Sequence, residues 1–434
     1  MAVTTDEAPT CLLVTYLSLT RLTQRTNGSY RRLALLAAAI RSSGASLRVC
    51  CALTPEESGL SVSEACKQIE EEIRKAWSMD STVVASMIAP PANARWILQQ
   101  AAGVFGYIHN PVIRSRVTRE SRALLATELA REPAFVVAHR IPAMLALSGA
   151  SSALPPTFFD LDDVEHVVAS RRAIRAHSIR EKAFGMMALP ALFLEERRCV
   201  RRATRTLVCS DADASRLRRL FATDNVIAVP NALPLPPHIA GLGDGPSMLM
   251  VAAYDYEPNA DGADFFISEV FPLIRRRFPT AELRLVGPAP EKIAAYGHAP
   301  DGVKFCGFVP SLEEAYGAAR IVVCPIRYGG GTRVKLVEAA GWGKPIVSTT
   351  LGAEGLGMIN DVHALIADSP EGLADACGSL FLDDEKCSAL SRSVRALAED
   401  AFDARRVSER LGRTFRTFLG TSIETDATLP RGGK

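Results

Sequence analysis

The sequence predicts an α/β fold of two doubly wound domains, and three observations carry that expectation. The chain has 434 residues, more than one ordinary core holds, which favours two domains of about 200 residues each. Residues 11–53 run strand, loop, helix, strand, the unit that opens a parallel sheet. Residues 324–356, CPIRYGGGTRVKLVEAAGWGKPIVSTTLGAEGL, set a glycine turn between a strand and a helix, where such sheets take their ligands.

In the first half, CLLVTYLSLT (11–20) has the apolar character of a buried strand, RRLALLAAAIRSSG is a helix ending at Gly44, and LRVCCAL (47–53) is the next strand. Gly28 lies in the polar turn before that helix, either as part of an acceptor-side loop or simply as a helix-start glycine. Residues 55–125 read as helix and loop, with His109 a secondary histidine candidate. The strand AFVVA (134–138) ends in His139 and Arg140, at the carboxyl edge where open sheets bind ligands. PTFFDLDDVEH (156–166) is a strand followed by Asp160, Asp162, Asp163 and Glu165, which suit hydrogen bonds to hydroxyl groups or a general base. Asp160 and Asp162 also have the spacing of a short metal-binding pattern, but no metal is expected.

Residues 171–219 are rich in arginine. Such a stretch is either a solvated helical face or a peripheral contact with anionic lipid, and nothing interleaved with it reads nucleic acid. TLVCSDADASRLRRLF (206–221) is a strand, a Ser/Asp cap and a helix, with VIAVPNALP after it. The proline- and glycine-rich segment 233–246 reads as a linker. The expected plan is therefore a first domain over 1–232, a second over 247–400, a final helix over 401–420 and a disordered tail over 421–434.

Composition narrows the function classes. A net charge of +2 gives no general signal for nucleic acid or membrane. Ten cysteines without a C-x-x-C pair fit reduced structural thiols in a cytoplasm. The polar start MAVTTDEAPT is unlike a secretory signal, and the longest apolar stretch, AFGMMALPALFL, is shorter than the ~18 residues of a membrane span. The expected location is cytoplasmic, with the inner face of the membrane as the place of any lipid contact.

The glycine turn points to an anion. Gly329, Gly330 and Gly331 let backbone approach a ligand, and the following helix start offers unpaired N–H groups. Thr332, Arg333 and Lys335 add a hydroxyl and two cations there. Glu338 follows roughly 8–10 Å along the axis at about 1.5 Å per residue, within reach of a sugar attached to bound phosphates. The Walker Gly-Lys-Ser/Thr arrangement is missing, which argues against an ATPase. In the second domain, Asn259 sits in a Pro-Asn turn after strand 247–254, and Gly307 and Val309 follow strand 303–307, where backbone groups could frame a base.

The string GGGTRVKLVEAAGWGKPIVSTTLGAEGL closely resembles the donor-binding segment of family 4 (group 1) glycosyltransferases, particularly the branch reading Gly-Gly-Gly-Thr-Arg-x-Lys. That resemblance, strong over about 247–356 and weaker elsewhere, implies a GT-B fold, two Rossmann-like domains facing a cleft. It implies a retaining transfer of sugar from a nucleotide-diphosphate sugar, a UDP or GDP sugar, to a carbohydrate, lipid-linked or small-molecule acceptor, with no cofactor. Carried over, the glycine turn holds the diphosphate, Glu338 the ribose, and His139 stands near the donor sugar. Other members supply an Arg and a Lys after the strand at 247–254, which this chain lacks, so the duty passes to Arg333 and Lys335. The family's Glu-x7-Glu signature would place its first glutamate, a ligand of the transferred sugar, at Gly330. Two other readings stay open: an epimerase or hydrolase of nucleotide sugars, and a catalytically silent nucleotide-sugar-binding module.

Overall fold

The structure is a computed structural model and describes residues 8–17, 28–53, 60–87, 116–151, 153–176, 178–309 and 311–424; His109 and the end of the tail lie outside these. The chain divides into two compact units, Met1–Val229 with Arg405–Lys434, and Pro230–Ala404. Each unit is a parallel sheet wrapped by helices in the Rossmann-like manner.

The first unit has strands β1 (Thr10–Thr15), β2 (Ser46–Leu53), β3 (Ser81–Met87), β4 (Phe135–His139), β5 (Thr157–Asp162), β6 (Arg205–Val208) and β7 (Val226–Ala228). They are hydrogen-bonded in the order β3-β2-β1-β4-β5-β6-β7. Its helices are α1 (Gly28–Ser42), α2 (Val62–Glu72), α3 (Arg119–Leu129), α4 (Arg140–Ala150), α5 (Glu165–Arg175), α6 (Ile179–Arg202) and α7 (Asp211–Phe221). Every residue of β4 and β5 is buried, as expected of central strands covered on both faces.

The second unit has β8 (Ser247–Val251), β9 (Glu282–Val286), β10 (Val303–Gly307), β11 (Ile321–Cys324), β12 (Ile346–Ser348) and β13 (Leu365–Ile366), in the order β10-β9-β8-β11-β12-β13. Helix α8 (Glu257–Phe265) passes through a π-helical turn into α9 (Phe271–Arg277), followed by α10 (Leu312–Ala318), α11 (Val334–Gly341), α12 (Pro370–Leu382) and α13 (Asp384–Ala401). The last helix, α14 (Ala404–Glu424), packs on the first unit, where Phe415 and Phe418 meet Phe158 with ring centroids 4.6 and 5.3 Å apart.

In each sheet the chain direction of growth reverses once, between β1 and β4 and between β8 and β11. Ligands of open α/β sheets bind beyond the carboxyl ends of strands at such a reversal. The topology thus singles out His139 in one unit and the glycine turn in the other.

The segment read as a linker is not a free one. Leu233 and Ala240 join the second unit's core, and the Lys344 ammonium donates to the carbonyls of Gly241 and Ala319 (2.6 Å for the latter). A Cβ at Gly243 would fall 2.4 Å from the Ala318 carbonyl, so this glycine permits close packing. The buried face of α11 is Leu336, Val337, Ala339 and Ala340, with Val334 half-buried.

Candidate functional site

The glycine turn leaves β11 and enters α11 beside the loop that leaves β8. Gly329 has φ +110° and Gly331 φ +69°, conformations costly to residues with a Cβ. A Cβ at Gly329 would also lie 3.2 Å from the Tyr256 hydroxyl. Helix α11 begins without a side-chain cap, and among the described residues the N–H groups of Gly330, Gly331, Thr332 and Arg333 donate to no protein group. Unpaired amides at a helix start form an anion site.

Arg333 is 7% exposed, and its guanidinium is only partly satisfied. Nη1 donates to the carbonyls of Gly330 and Gly331 (2.8 Å for the latter), while Nε and Nη2 are buried without a partner. A buried, half-satisfied cation is unfavourable unless an anion joins it. Lys335, half-buried, donates to the Asn259 side-chain oxygen, and Asn259 in turn donates from Nδ2 to the Ala253 carbonyl (2.7 Å). Asn259 therefore ties the β8 loop to α11. Burial, with the Arg333 charge close by, lowers the Lys335 pKa to about 8. Thr332 accepts from Asn231 Nδ2 (3.1 Å), and Glu338 is half-buried three residues beyond Lys335, on the same side of α11.

Two groups at this turn escaped the sequence reading. Arg327 makes a bidentate pair with Asp261 (3.0 and 2.6 Å) and lies 4.5 Å from the Phe265 ring centroid. Its charge is committed to the unit's own structure. Tyr328 is buried, and burial, with the negative charges of Glu257 and Asp261 nearby, pushes its pKa up. Of the two residues expected to frame a base, Gly307 accepts at its carbonyl from Gly287 N–H (2.7 Å), and the Val309 side chain packs against the core.

In the first unit the sequence-predicted residues converge and their charges pair within the protein, although His139 Nε2 and Arg140 Nε are buried without a hydrogen-bond partner. His139 is fully buried; its Nδ1 is 3.0 Å from the Thr15 hydroxyl, across the register pair that joins β1 to β4. Burial, with Arg140 and Arg32 adding to it, lowers its pKa to about 3, so the imidazole is neutral. Asp160 is not a free base: Arg32 holds both its oxygens, at 2.6–3.2 Å, with both side chains fully buried. Arg32 also donates to the Val229 carbonyl (2.6 Å). Asp162 pairs with Arg140 (2.9 Å) and accepts from the Cys209 thiol. Burial opposes its ionisation, but Arg140 and Arg32 outweigh that and hold it below the usual carboxylate range. Both Arg140 and Asp162 have positive φ, +68° and +63°. Strain of this kind persists where surrounding structure over-determines it.

Asp163 is half-buried one residue past β5, and Gly28 is the first residue of α1, where an added Cβ would meet nothing within 4 Å. No group of three or more His, Cys, Asp or Glu among the described residues is arranged to hold a metal ion.

Residues 245–383 match the family model described as glycosyl transferases group 1. No curated protein sequence matches the chain. Among solved structures, the chain is similar to sucrose-phosphate synthase from Thermosynechococcus elongatus, with 13% identity, TM-score 0.66, and 95% of this chain and 100% of that one covered. It is similar to Anabaena HepE in complex with UDP-glucose, with 14% identity, TM-score 0.60, and 94% and 99% covered. It is also similar to WaaG, described as a glycosyltransferase involved in lipopolysaccharide biosynthesis, with 14% identity, TM-score 0.57, and 93% and 99% covered. At these identities the likeness speaks to the fold, which is GT-B. The segment 245–383, which contains the glycine turn, Asn259, Arg333 and Lys335, is the part of the chain that the group 1 glycosyltransferase model covers.

Proposed function

We propose that the chain transfers a sugar, with retention of anomeric configuration, from a nucleotide-diphosphate sugar to a carbohydrate, lipid-linked or small-molecule acceptor. The single observation that carries this reading is the buried Arg333 guanidinium, whose Nε and Nη2 lack partners beside a turn of unused amides. A diphosphate would satisfy both at once. As the bond between the sugar's anomeric carbon and the β-phosphate oxygen breaks, negative charge grows on the leaving diphosphate. Arg333, Lys335 and the turn amides would stabilise it there. The sugar passes through an oxocarbenium-like state and bonds to the acceptor oxygen, whose proton leaves to a base or to solvent. HepE's complex with UDP-glucose supports a uridine nucleotide as the first donor to try, with GDP sugars beside it.

Gly330 leaves the sugar hydroxyls without the carboxylate that the family's signature would put there. Glu257, whose charge reaches Tyr328 next to the turn, is the acid we assign to that work. Gly330 also favours one second reading, a nucleotide-sugar-binding module without transfer. Calorimetry with UDP and GDP, followed by mass spectrometry of acceptor extracts incubated with the matching sugars, separates the two. Arg333→Ala and Glu338→Ala should each weaken diphosphate binding; unchanged affinity in both removes the assignment. Binding without any transferred sugar would select the silent module.

A further inference from the structure

The arginine-rich stretch is two surfaces, not one. From 197 onward several arginines serve the unit's own structure: Arg201 donates to the Phe221 carbonyl, Arg218 to the Val226 carbonyl, and Arg205 lies over the Phe418 ring. Between 170 and 190 the situation reverses. Among the described residues there, Ala173 alone is buried, and none belongs to a core cluster. The end of α5 and the first half of α6 are thus a helical hairpin outside the core, closed where Gly185 meets Ala173, with an added Cβ only 2.6 Å from that of Ala173.

The remaining faces of this hairpin are patterned. On α6, Ile179, Ala183, Met186, Met187 and Pro190 recur at i, i+4, i+7, i+8 and i+11, one helical stripe, and all five are exposed; Ile179 is 88% exposed. The stripe lies roughly opposite Gly185 at about 100° per residue, so it points away from α5. Arg180 flanks it on one side and Lys182 on the other, both exposed, and exposed Arg172, Ile174 and Arg175 end the neighbouring helix. Glu181 is the one acidic residue from 170 to 190. An amphipathic helix of a globular domain turns its apolar stripe inward; here the stripe is turned out between cations.

We propose that this face of α6 docks on an anionic lipid surface. Ile179, Ala183, Met186 and Met187 enter the boundary between headgroups and acyl chains, and Arg180, Lys182, Arg172 and Arg175 pair with lipid phosphates. Charge selects this occupant over a second copy of the chain. An isologous pairing of the stripe would bring Arg180 and Lys182 of both copies together, with only Glu181 to offset them. Docking of this face needs nothing from the nucleotide site, so its test does not depend on sugar transfer.

The experiment is co-sedimentation of the full chain with phosphatidylcholine vesicles, with and without phosphatidylglycerol, at low and high salt, beside light scattering of the protein alone. The expected result is partition onto the anionic vesicles only, weakened by salt. Met186→Asp with Met187→Asp should lower that partition by about tenfold or more. The melting temperature should be unchanged, because both side chains are exposed. Arg180→Ala with Lys182→Ala, which leaves the stripe intact, should lower it by a smaller factor and flatten its salt dependence. The proposal is overturned if the wild-type chain ignores anionic vesicles, if the methionine variant partitions equally well, or if the chain is a dimer that the same variant dissolves.

Discussion

The two sheets reverse direction at equivalent places, and each reversal gathers polar side chains at the carboxyl ends of the same pair of strands in the order. In the first unit each arginine finds a carboxylate, even though His139 Nε2 and Arg140 Nε are buried without a hydrogen-bond partner. Arg32 closes on Asp160, Arg140 on Asp162, and His139 on Thr15, all within the unit. In the second, Arg327 is closed on Asp261 in the same way, but Arg333 keeps two nitrogens unpartnered and the turn amides are unused. The topology fixes where a ligand can approach, while the balance of charge decides which crevice demands one. A closed network gives stability and shape; an open cation stores unfavourable energy that a ligand releases.

The sharpest way to break this contrast is to remove one arginine from each crevice. Arg32→Ala leaves the Asp160 carboxylate buried and alone, and should cost about 3–5 kcal/mol of stability in denaturant titration. Arg333→Ala should leave stability nearly unchanged, or improve it, because it removes a cation the protein itself does not satisfy. Its effect should fall on nucleoside diphosphate affinity, about 1.5–3 kcal/mol or roughly 10- to 150-fold by calorimetry. Equal loss of stability in both variants would show that the two crevices do not differ.

Proton linkage sharpens the same comparison. Lys335 has a folded pKa of about 8, below that of an unfolded lysine, so the unfolded chain binds more protons between pH 8 and about 10.4. Its contribution to stability in the ligand-free protein is therefore unfavourable below pH 8 and relieved as pH rises through that window. A bound diphosphate acts in the opposite direction: it raises the pKa and takes up a proton. Affinity should be flat below pH 8 and fall above it, by up to about tenfold per pH unit, until the bound-state pKa is reached. Lys335→Met should bind more weakly and lose that slope. A wild-type profile flat from pH 7 to 10 would mean that Lys335 does not face the ligand.

Glu257 offers a finer cut. If its carboxylate serves where Gly330 has none, Glu257→Gln should leave UDP or GDP binding unchanged and weaken the corresponding sugar nucleotide by about 1 kcal/mol, roughly fivefold. Equal weakening of both ligands would place Glu257 at the phosphates, and no change in either would leave the sugar's hydroxyls to another group.

The glycine turn, its cations and most strands were legible because their signals are local: glycines where φ must be positive, apolar runs of strand length, a Ser cap before α7. What the sequence hid are the long-range pairs. Asp160 looked like an accessible base because its partner lies 128 residues earlier. A signal existed, since Arg32 occupies the apolar stripe of α1 with Leu36 and Ala39, and a buried arginine requires a buried carboxylate. Asn259 secures Lys335 across 76 residues, a pairing that no local pattern signals. Residues 233–246 misled for a different reason: prolines and glycines mark a flexible linker and a closely packed strap alike, and only the Ala318 carbonyl facing Gly243 tells them apart.

The smallest expected effect tests a residue that sequence left between two roles. Gly28 begins α1 with no strained φ and open space around its missing Cβ. As a plain helix-start glycine, Gly28→Ala should change stability by no more than about 0.5 kcal/mol, in the stabilising direction if at all, because alanine loses less backbone freedom. Nucleotide binding should not move. As part of an acceptor loop, the same substitution would raise the KM for acceptor with the melting temperature and diphosphate affinity unaltered. A change confined to acceptor KM would extend function to the first unit, whose Arg32–Asp160 and Arg140–Asp162 pairs would then lie near the acceptor loop.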